Sequence, residues 1–444
     1  MPGFLRRAIW LRLVTTVKLG WYCLYETRMC TTFSEETSEG LLVLLADMGV
    51  VPIKILQILH GDQTLPTALQ KVCTRMLSDG PRHSIAYTLH VLQGSPIAHR
   101  ISDVSVEPIG SGSVAQVHTC MLDRETPCVL KVRHPLVRED LFVVTILLEA
   151  MLYVCGSLAG FGTDGKALLA DLYQQSDFRV EAGFTTKMRA ILTEEIGPGM
   201  GLDCPSVLFT TKDLLVLSRQ PGIHPTLDTV GSQTMEQIYR KLAGFFLYTN
   251  IIHGFAHGDL HTGNVLYDPT SRRLSIIDMG SCLRLPIMEQ HPLPLIIRAI
   301  CSNPPSIASQ NALFQTYMPT AAPTPEVVHA FTLILSEIST ISSDTLRKNL
   351  FRFGLDHGLT LDSNVFQYNL QMGRMGGNIR FSVLAGSSCT ELAVILYEAC
   401  QIARHSIAPA KEVHILFLQS LETLVAPRRS IGIYTSPRTI PDAM

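Results

Sequence analysis

Charge is scarce in this chain. Asp, Glu, Lys and Arg make up 17 % of its 444 residues and nearly cancel, leaving a formal net charge of −2. Such a balance does not fit a protein that grips nucleic acid through backbone phosphates. There is no block of like charges, no low-complexity tract and no repeat at solenoid spacing, which sets aside polyelectrolyte tails and stacked-repeat architectures. The 11 cysteines include no C-x-x-C pair. An odd, scattered set of that kind points to a reducing compartment and away from a zinc site. What remains is an apolar, ordered chain, 46 % hydrophobic, long enough for two or three lobes.

Acid is missing altogether from the first 25 residues, which carry Arg6, Arg7, Arg12 and Lys18 before Glu26. A basic, acid-free start is similar to a mitochondrial transit peptide; an ordinary basic helix end or a truncated membrane anchor would read the same way. The apolar run at 141–162 approaches the ~20 residues of a membrane span, but Glu149 at its middle favours a buried or peripheral helix. Segment 1–37 is therefore set apart as a basic, possible targeting segment.

Patterning changes several times along the chain. From Ser38 to about Leu92 the spacing is helical, broken by Pro52, Pro66 and Pro81, and a helical extension is assigned to 38–103. Residues 104–133 alternate β-branched with small and turn residues, as antiparallel strands do. Helical spacing returns at 168–192, and VLFTTKDLLVLSRQPG (207–222) predicts two strands around Thr211–Asp213. From Gln233 the pattern is mainly helical. A β-rich lobe at 104–222 followed by a helical lobe at 223–444 is an α+β, two-lobed order.

Within that order lie the parts that phosphoryl transfer needs, namely positioning and charge neutralisation. Gly110, Ser111, Gly112 and Ser113 form a loop without bulk, through which backbone N–H groups can approach phosphate oxygens. Lys131 sits among apolar residues on the next strand, where an unpaired ammonium would be costly; Glu181, on a predicted helix, is its candidate partner. In HGDLHTGNVL (257–266), Asp259 and Asn264 have the D-x-x-x-x-N spacing of a kinase catalytic loop, and Asp278 opens a D-x-G after the strand LSII. Asp259 would face the nucleophile, while the oxygens of Asn264 and Asp278 suit Mg²⁺, a hard cation that also takes water and phosphate. His257 and His261 lack a third His or Cys at ligand spacing and read as structural, and Cys282 as a buried, inert thiol. The adenine hinge falls near Leu217–Gln220. The order of these parts predicts a protein-kinase-like fold, binding ATP with Mg²⁺.

Several stretches resemble the aarF-domain-containing (UbiB-like) atypical kinases: GSGSVAQVH (110–118), VLKVRHP (129–135), QQSDFRVEA (174–182) and HGDLHTGNVL. The resemblance covers roughly residues 40–285. It implies ATP-dependent phosphotransfer or ATP hydrolysis in support of coenzyme Q biosynthesis or related mitochondrial lipid metabolism. The implied setting is mitochondrial, with a cytoplasmic one as alternative, and the implied partners are coenzyme Q biosynthetic proteins or a lipid surface. By the same resemblance PIKILQIL (52–59) stands where the family carries a regulatory K-x-G-Q motif, so Lys54 and Gln57 are its counterparts and Leu56 replaces the glycine. Gly112 stands where many members have Ala, Met279 replaces Phe of D-F-G, and Thr262 the Pro of H-P-G-N. Two other readings fit the same loop: a small-molecule phosphotransferase of the aminoglycoside or choline-kinase type, for which PIKILQ and SVAQVH are not expected, and a non-catalytic scaffold switched by nucleotide.

Overall fold

The structure is a computed structural model that describes residues 82–112, 114–142, 145, 173–284, 314–315, 318, 324–336, 343–357, 359 and 389–403. These group into two compact units, one drawn from 1–190, 203–225 and 258–282 and the other from 191–202, 226–257 and 283–444. Lys54 and Gln57, Ser113, and most of the apolar run at 141–162 lie outside the described residues. No described helix is long and apolar enough to cross a membrane.

The first unit is built on an antiparallel sheet of six strands: β1 (Ile101–Ser102), β2 (Gly110–Ser111), β3 (Ala115–Leu122), β4 (Thr126–Arg133), β5 (Val207–Thr210) and β6 (Leu214–Ser218). Their order is β1-β3-β4-β6-β5, with β2 also paired to β3. The strand pair predicted around Thr211–Asp213 is β5 and β6. Strand β4 is central, and its register sets Lys131 opposite Val117 on one side and Leu215 on the other.

Alternation along β4 divides the sheet into two faces. Cys128, Leu130 and Val132 point one way and pack with Cys120, Leu122, Leu214 and Val216 beneath Leu92 of helix α1 (Ile85–Gln93). Ser84 begins that helix by accepting the Tyr87 N–H on its side chain, a standard N-cap. On the opposite face Ala115, Leu215 and Leu217 pack against Phe178 and Ala182 of helix α2 (Phe178–Ile191), with Val129 beside them. Each fully buried aliphatic side chain here contributes roughly 1.5–3 kcal/mol. Lys131 falls in the phase of Val129, with Val117 and Leu215 as its strand neighbours, and so arrives on the α2 face.

Strands β7 (Val265–Asp268) and β8 (Arg273–Ile276) form an antiparallel hairpin in the same unit. It is tied to the segment after β6 by the Ile223↔Tyr267 bridge and by the Ser275 hydroxyl, which donates to Gln220 Oε1 at 3.1 Å. Gly222 makes that approach possible. Its φ is +116°, and a Cβ there would stand 2.6 Å from the Tyr267 carbonyl oxygen, so both conformation and space demand glycine.

In the second unit the long helix α3 (Ser232–His253) packs on α6 (Cys389–Ala403). Arg240 of α3 donates to both oxygens of Glu398, with its shortest bonds at 2.7 Å. Helices α4 (Pro325–Ser336) and α5 (Ser343–Asp356) meet through Phe331 and Phe353, ring centroids 5.6 Å apart. Mixed α and β structure is what the sequence order predicts.

Candidate functional site

The site starts from Lys131. Its Nζ donates to Glu181 Oε1 and Oε2 at 2.9 and 3.0 Å and to Asp278 Oδ1 at 2.8 Å. The sheet supplies Lys131, helix α2 supplies Glu181 one turn beyond Phe178, and the Phe178 ring centroid lies 5.6 Å from the ammonium. Glu181 is buried at 3 % side-chain exposure and Lys131 at 12 %, whereas Asp278 is 47 % exposed. One carboxylate thus anchors the lysine from inside, and the other faces solvent, where a ligand can reach it.

Two carboxylates around one ammonium leave a negative excess in a poorly solvated place. Burial pushes the Glu181 carboxyl up to about 7, with Asp278 adding to the rise and Lys131 opposing it. Burial alone would lower the Lys131 pKa, but Asp278 and Glu181 outweigh it and hold the ammonium above its ordinary value. The lysine is therefore charged at neutral pH.

Glu181 consequently carries a pH signature. Between its usual value of 4.5 and about 7, the folded chain binds this proton more tightly than the unfolded one. The stability it contributes is complete below the usual value and is lost as pH rises through the folded value, on the order of 3 kcal/mol. Denaturant unfolding of wild type and Glu181→Gln at about pH 5 and about pH 8 should show the wild type losing that amount relative to the variant. Parallel behaviour at both values would remove the assignment.

Asn264 and Asp278 are 14 residues apart in sequence, and the hairpin makes them neighbours. Ile276 pairs with Val265, so Asn264 and Ile277 stand side by side, and the Ile277 N–H donates to the Asn264 carbonyl at 2.9 Å. Asp278 follows in the left-handed region at φ +60°, a conformation Asp tolerates better than most residues. Its carboxylate also accepts from the Gly280 N–H at 3.4 Å. A Cβ on Gly280 would lie 3.2 Å from Asp278 Oδ1 and 3.3 Å from Glu181 Oε2, so a side chain at the third residue of D-M-G would press on both carboxylates.

The Asp259 loop is held by its own backbone. The Asp259 carbonyl accepts from Asn264 Nδ2 at 2.9 Å and from the His261 N–H at 3.1 Å, while His261 Nδ1 accepts from the Gly263 N–H at 3.0 Å. His261 Nε2 stands 3.9 Å from Asp259 Oδ2. The Asp259 side chain remains 28 % exposed. Both histidines of the motif are structural here: His257 is buried, and His261 braces the loop.

A divalent cation fits the donor set. The bond that fixes the Asn264 side chain, to the Asp259 carbonyl, uses its nitrogen, which leaves its oxygen for a hard cation beside the exposed Asp278 carboxylate. No cluster of three or more His, Cys, Asp or Glu among the described residues has the geometry of a protein-only metal site. A cation here would complete its shell with phosphate and water oxygens, as Mg²⁺ does. Gly110, Ser111 and Gly112 lie on β2 and the turn into β3, with the Gly112 N–H donating to the Ala115 carbonyl at 2.9 Å. Leu217 and Ser218, which open the stretch expected to hold adenine, end β6. Cys282 is fully buried and its thiol is pushed well above the usual range, first by burial and then by Glu181 and Asp278. The described cysteines are all free.

Residues 77–306, just over half of the chain, match the ABC1 atypical kinase-like domain. The chain belongs to the ABC1 atypical kinase-like family. Among its relatives are a "Probable protein kinase UbiB" of Marinobacter nauticus, 26 % identical over 54 % of this chain and 47 % of that one, and an "AarF domain-containing protein kinase 1" of Xenopus tropicalis, 26 % identical over 57 % and 52 %. The chain thus spans about half the length of these two relatives. A Mycobacterium tuberculosis protein solved in complex with erythromycin superposes with a TM-score of 0.46 at 18 % identity, over 81 % of this chain and 92 % of that one. The two-lobed α+β, kinase-like architecture expected from the order of motifs is that of the ABC1 family.

Proposed function

We propose that this ABC1-family chain binds Mg·ATP and transfers or hydrolyses its terminal phosphoryl group. The observation that carries the reading is the Lys131 ammonium gripped from inside by Glu181 while its outer face meets an exposed Asp278. In this reading Lys131 orients the α- and β-phosphates, Glu181 holds Lys131, and the small residues Gly110, Ser111 and Gly112 let the backbone come close to the phosphates. Asn264 and Asp278 hold Mg²⁺, which when bound neutralises phosphate charge. Asp259 orients or deprotonates the acceptor hydroxyl or water.

Asp278 now spends its charge on Lys131, so releasing it toward a cation and turning Lys131 toward phosphate are one rearrangement. Nucleotide and cation are accordingly expected to bind together. Calorimetric titration of the purified protein with ATP should give binding in Mg²⁺ and little in EDTA, with phosphate release followed in parallel. Binding without release would favour a nucleotide-switched scaffold; no binding in either buffer would overturn the reading.

The relatives named UbiB support a place in coenzyme Q or related mitochondrial lipid metabolism. The partners proposed are proteins of that pathway or a lipid surface.

A further inference from the structure

The phosphate site leaves unexplained a line of polar side chains on the opposite face of the sheet. Gln116 and His118 fall in phase with Cys120 and Leu122 on β3, and His134 follows Val132 at the end of β4; all three are buried. Two of the stretches that resemble the aarF-type kinases, SVAQVH and KVRHP, contain these residues, and nothing in the nucleotide site uses them.

They form one connected chain of hydrogen bonds that begins at the small-residue turn. His134 Nε2 lies 3.1 Å from the Gly112 carbonyl oxygen, and the His134 backbone N–H donates to the Val114 carbonyl at 2.9 Å. His134 Nδ1 is 2.8 Å from His83 Nδ1, and His83 Nε2 is 2.9 Å from the Thr88 hydroxyl of α1. His118 Nδ1 meets the Ser105 carbonyl at 2.8 Å, and its Nε2 meets Gln116 Nε2 at 2.9 Å. The Gln116 amide also clasps the His83 peptide, accepting its N–H at 3.1 Å and donating to its carbonyl at 3.2 Å.

Carbonyl oxygens at the ends fix every proton in between. Because Gly112 O only accepts, His134 Nε2 carries the hydrogen, and a neutral His134 then has a bare Nδ1. His83 Nδ1 must donate to it, which leaves His83 Nε2 to accept from Thr88. In the same way Ser105 O fixes His118 as the Nδ1–H tautomer, and its Nε2 accepts from Gln116. Burial lowers the pKa of both His83 and His134, in keeping with neutral rings.

We propose that His134 is a positioning residue for the nucleotide loop, its imidazole locked in one tautomer by His83 so that it latches the Gly112 carbonyl on the α1 face of the sheet. This rests on the nucleotide reading of the site. Pairing with β3 holds Gly110 and Ser111, and the Ala115 carbonyl holds the Gly112 N–H, which leaves the Gly112 carbonyl to be fixed by His134. Lys131 points to the α2 face. A Gly112 carbonyl held on the α1 side cannot swing toward the phosphates, where its partial negative charge would oppose them. The latch has a cost in freedom only, since each donor already has its acceptor.

The test compares wild type, His134→Phe and His134→Gln by hydrogen–deuterium exchange of the segment 108–118 and by Mg·ATP affinity and turnover. His134→Phe keeps a ring and loses the donor. It should speed exchange in that segment and weaken nucleotide binding by roughly 10-fold, the worth of one neutral hydrogen bond, with turnover at saturation little changed. His134→Gln, which can still donate, should recover most of both. Should His134→Phe not fold, His83→Leu, which frees the His134 ring to turn, gives the same readouts and a smaller shift in the same direction. Wild-type exchange in His134→Phe, or equal impairment of the Gln and Phe variants, overturns the latch. If the wild type itself binds no nucleotide, the phosphate reading falls, and the exchange comparison alone still decides the latch.

Discussion

Lys131→Met should weaken Mg·ATP binding by roughly 100-fold, the scale of losing a charge-assisted hydrogen bond to phosphate, while the protein stays folded. The second half of that expectation is the more informative. A lone buried carboxylate is ordinarily destabilising, yet Glu181 already sits at about 7 and can take up a proton when its cation is removed. Asp278→Asn should abolish turnover for a different reason: it leaves the Lys131–Glu181 pair intact and replaces the exposed carboxylate with a neutral amide, a much weaker ligand for a hard divalent cation. Equilibrium binding and circular dichroism on the two variants separate the roles. Retained Mg·ATP turnover in Asp278→Asn would end the case for a metal–nucleotide site, and unfolding of Lys131→Met would mean that the ion pair serves stability first.

Phe178→Ala should be among the most damaging substitutions outside the charged residues, lowering unfolding free energy by about 3–5 kcal/mol. The ring is wholly buried and joins α2 to Ala115, Leu215 and Leu217 of the sheet. It also stands one helical turn before Glu181, so the helix that aims the carboxylate rests on this contact. Guanidinium unfolding of wild type, Phe178→Ala and the milder Phe178→Leu would measure it. A loss below about 1 kcal/mol in the alanine variant would show that the α2 seat does not depend on the ring.

The residues of the candidate site were more legible in the sequence than the contacts that support them. Spacing alone brought Asp259, Asn264 and Asp278 into one hypothesis, because a catalytic loop, a short hairpin and D-x-G are local features, and a hairpin brings residues on either side of it together. The Lys131–Glu181 pair spans 50 residues, and only the known order of parts could match them. The hydrogen-bonded histidines escaped notice because each looks ordinary by itself. A signal was present: Gln116, His118 and His134 occupy core positions of the period-2 pattern, where an unpartnered polar group is costly, so partners had to exist. Their identity could not be read, since His83 and Thr88 come from a segment whose docking is set by tertiary packing. Phe178 likewise read only as one apolar position on a helix.

Gly280 is crowded by Glu181 as well as by Asp278, and this separates two things usually read together from a D-x-G signature. The glycine is favoured by the seating of an internal carboxylate, whether or not any reaction follows. A descendant of this chain that gave up turnover but kept Glu181 in place would still favour the glycine, while the exposed aspartate would keep only its bonds to Lys131 and the Gly280 N–H and its left-handed backbone. When active members are to be sorted from lapsed ones, the third letter of the signature is silent and the first carries the information.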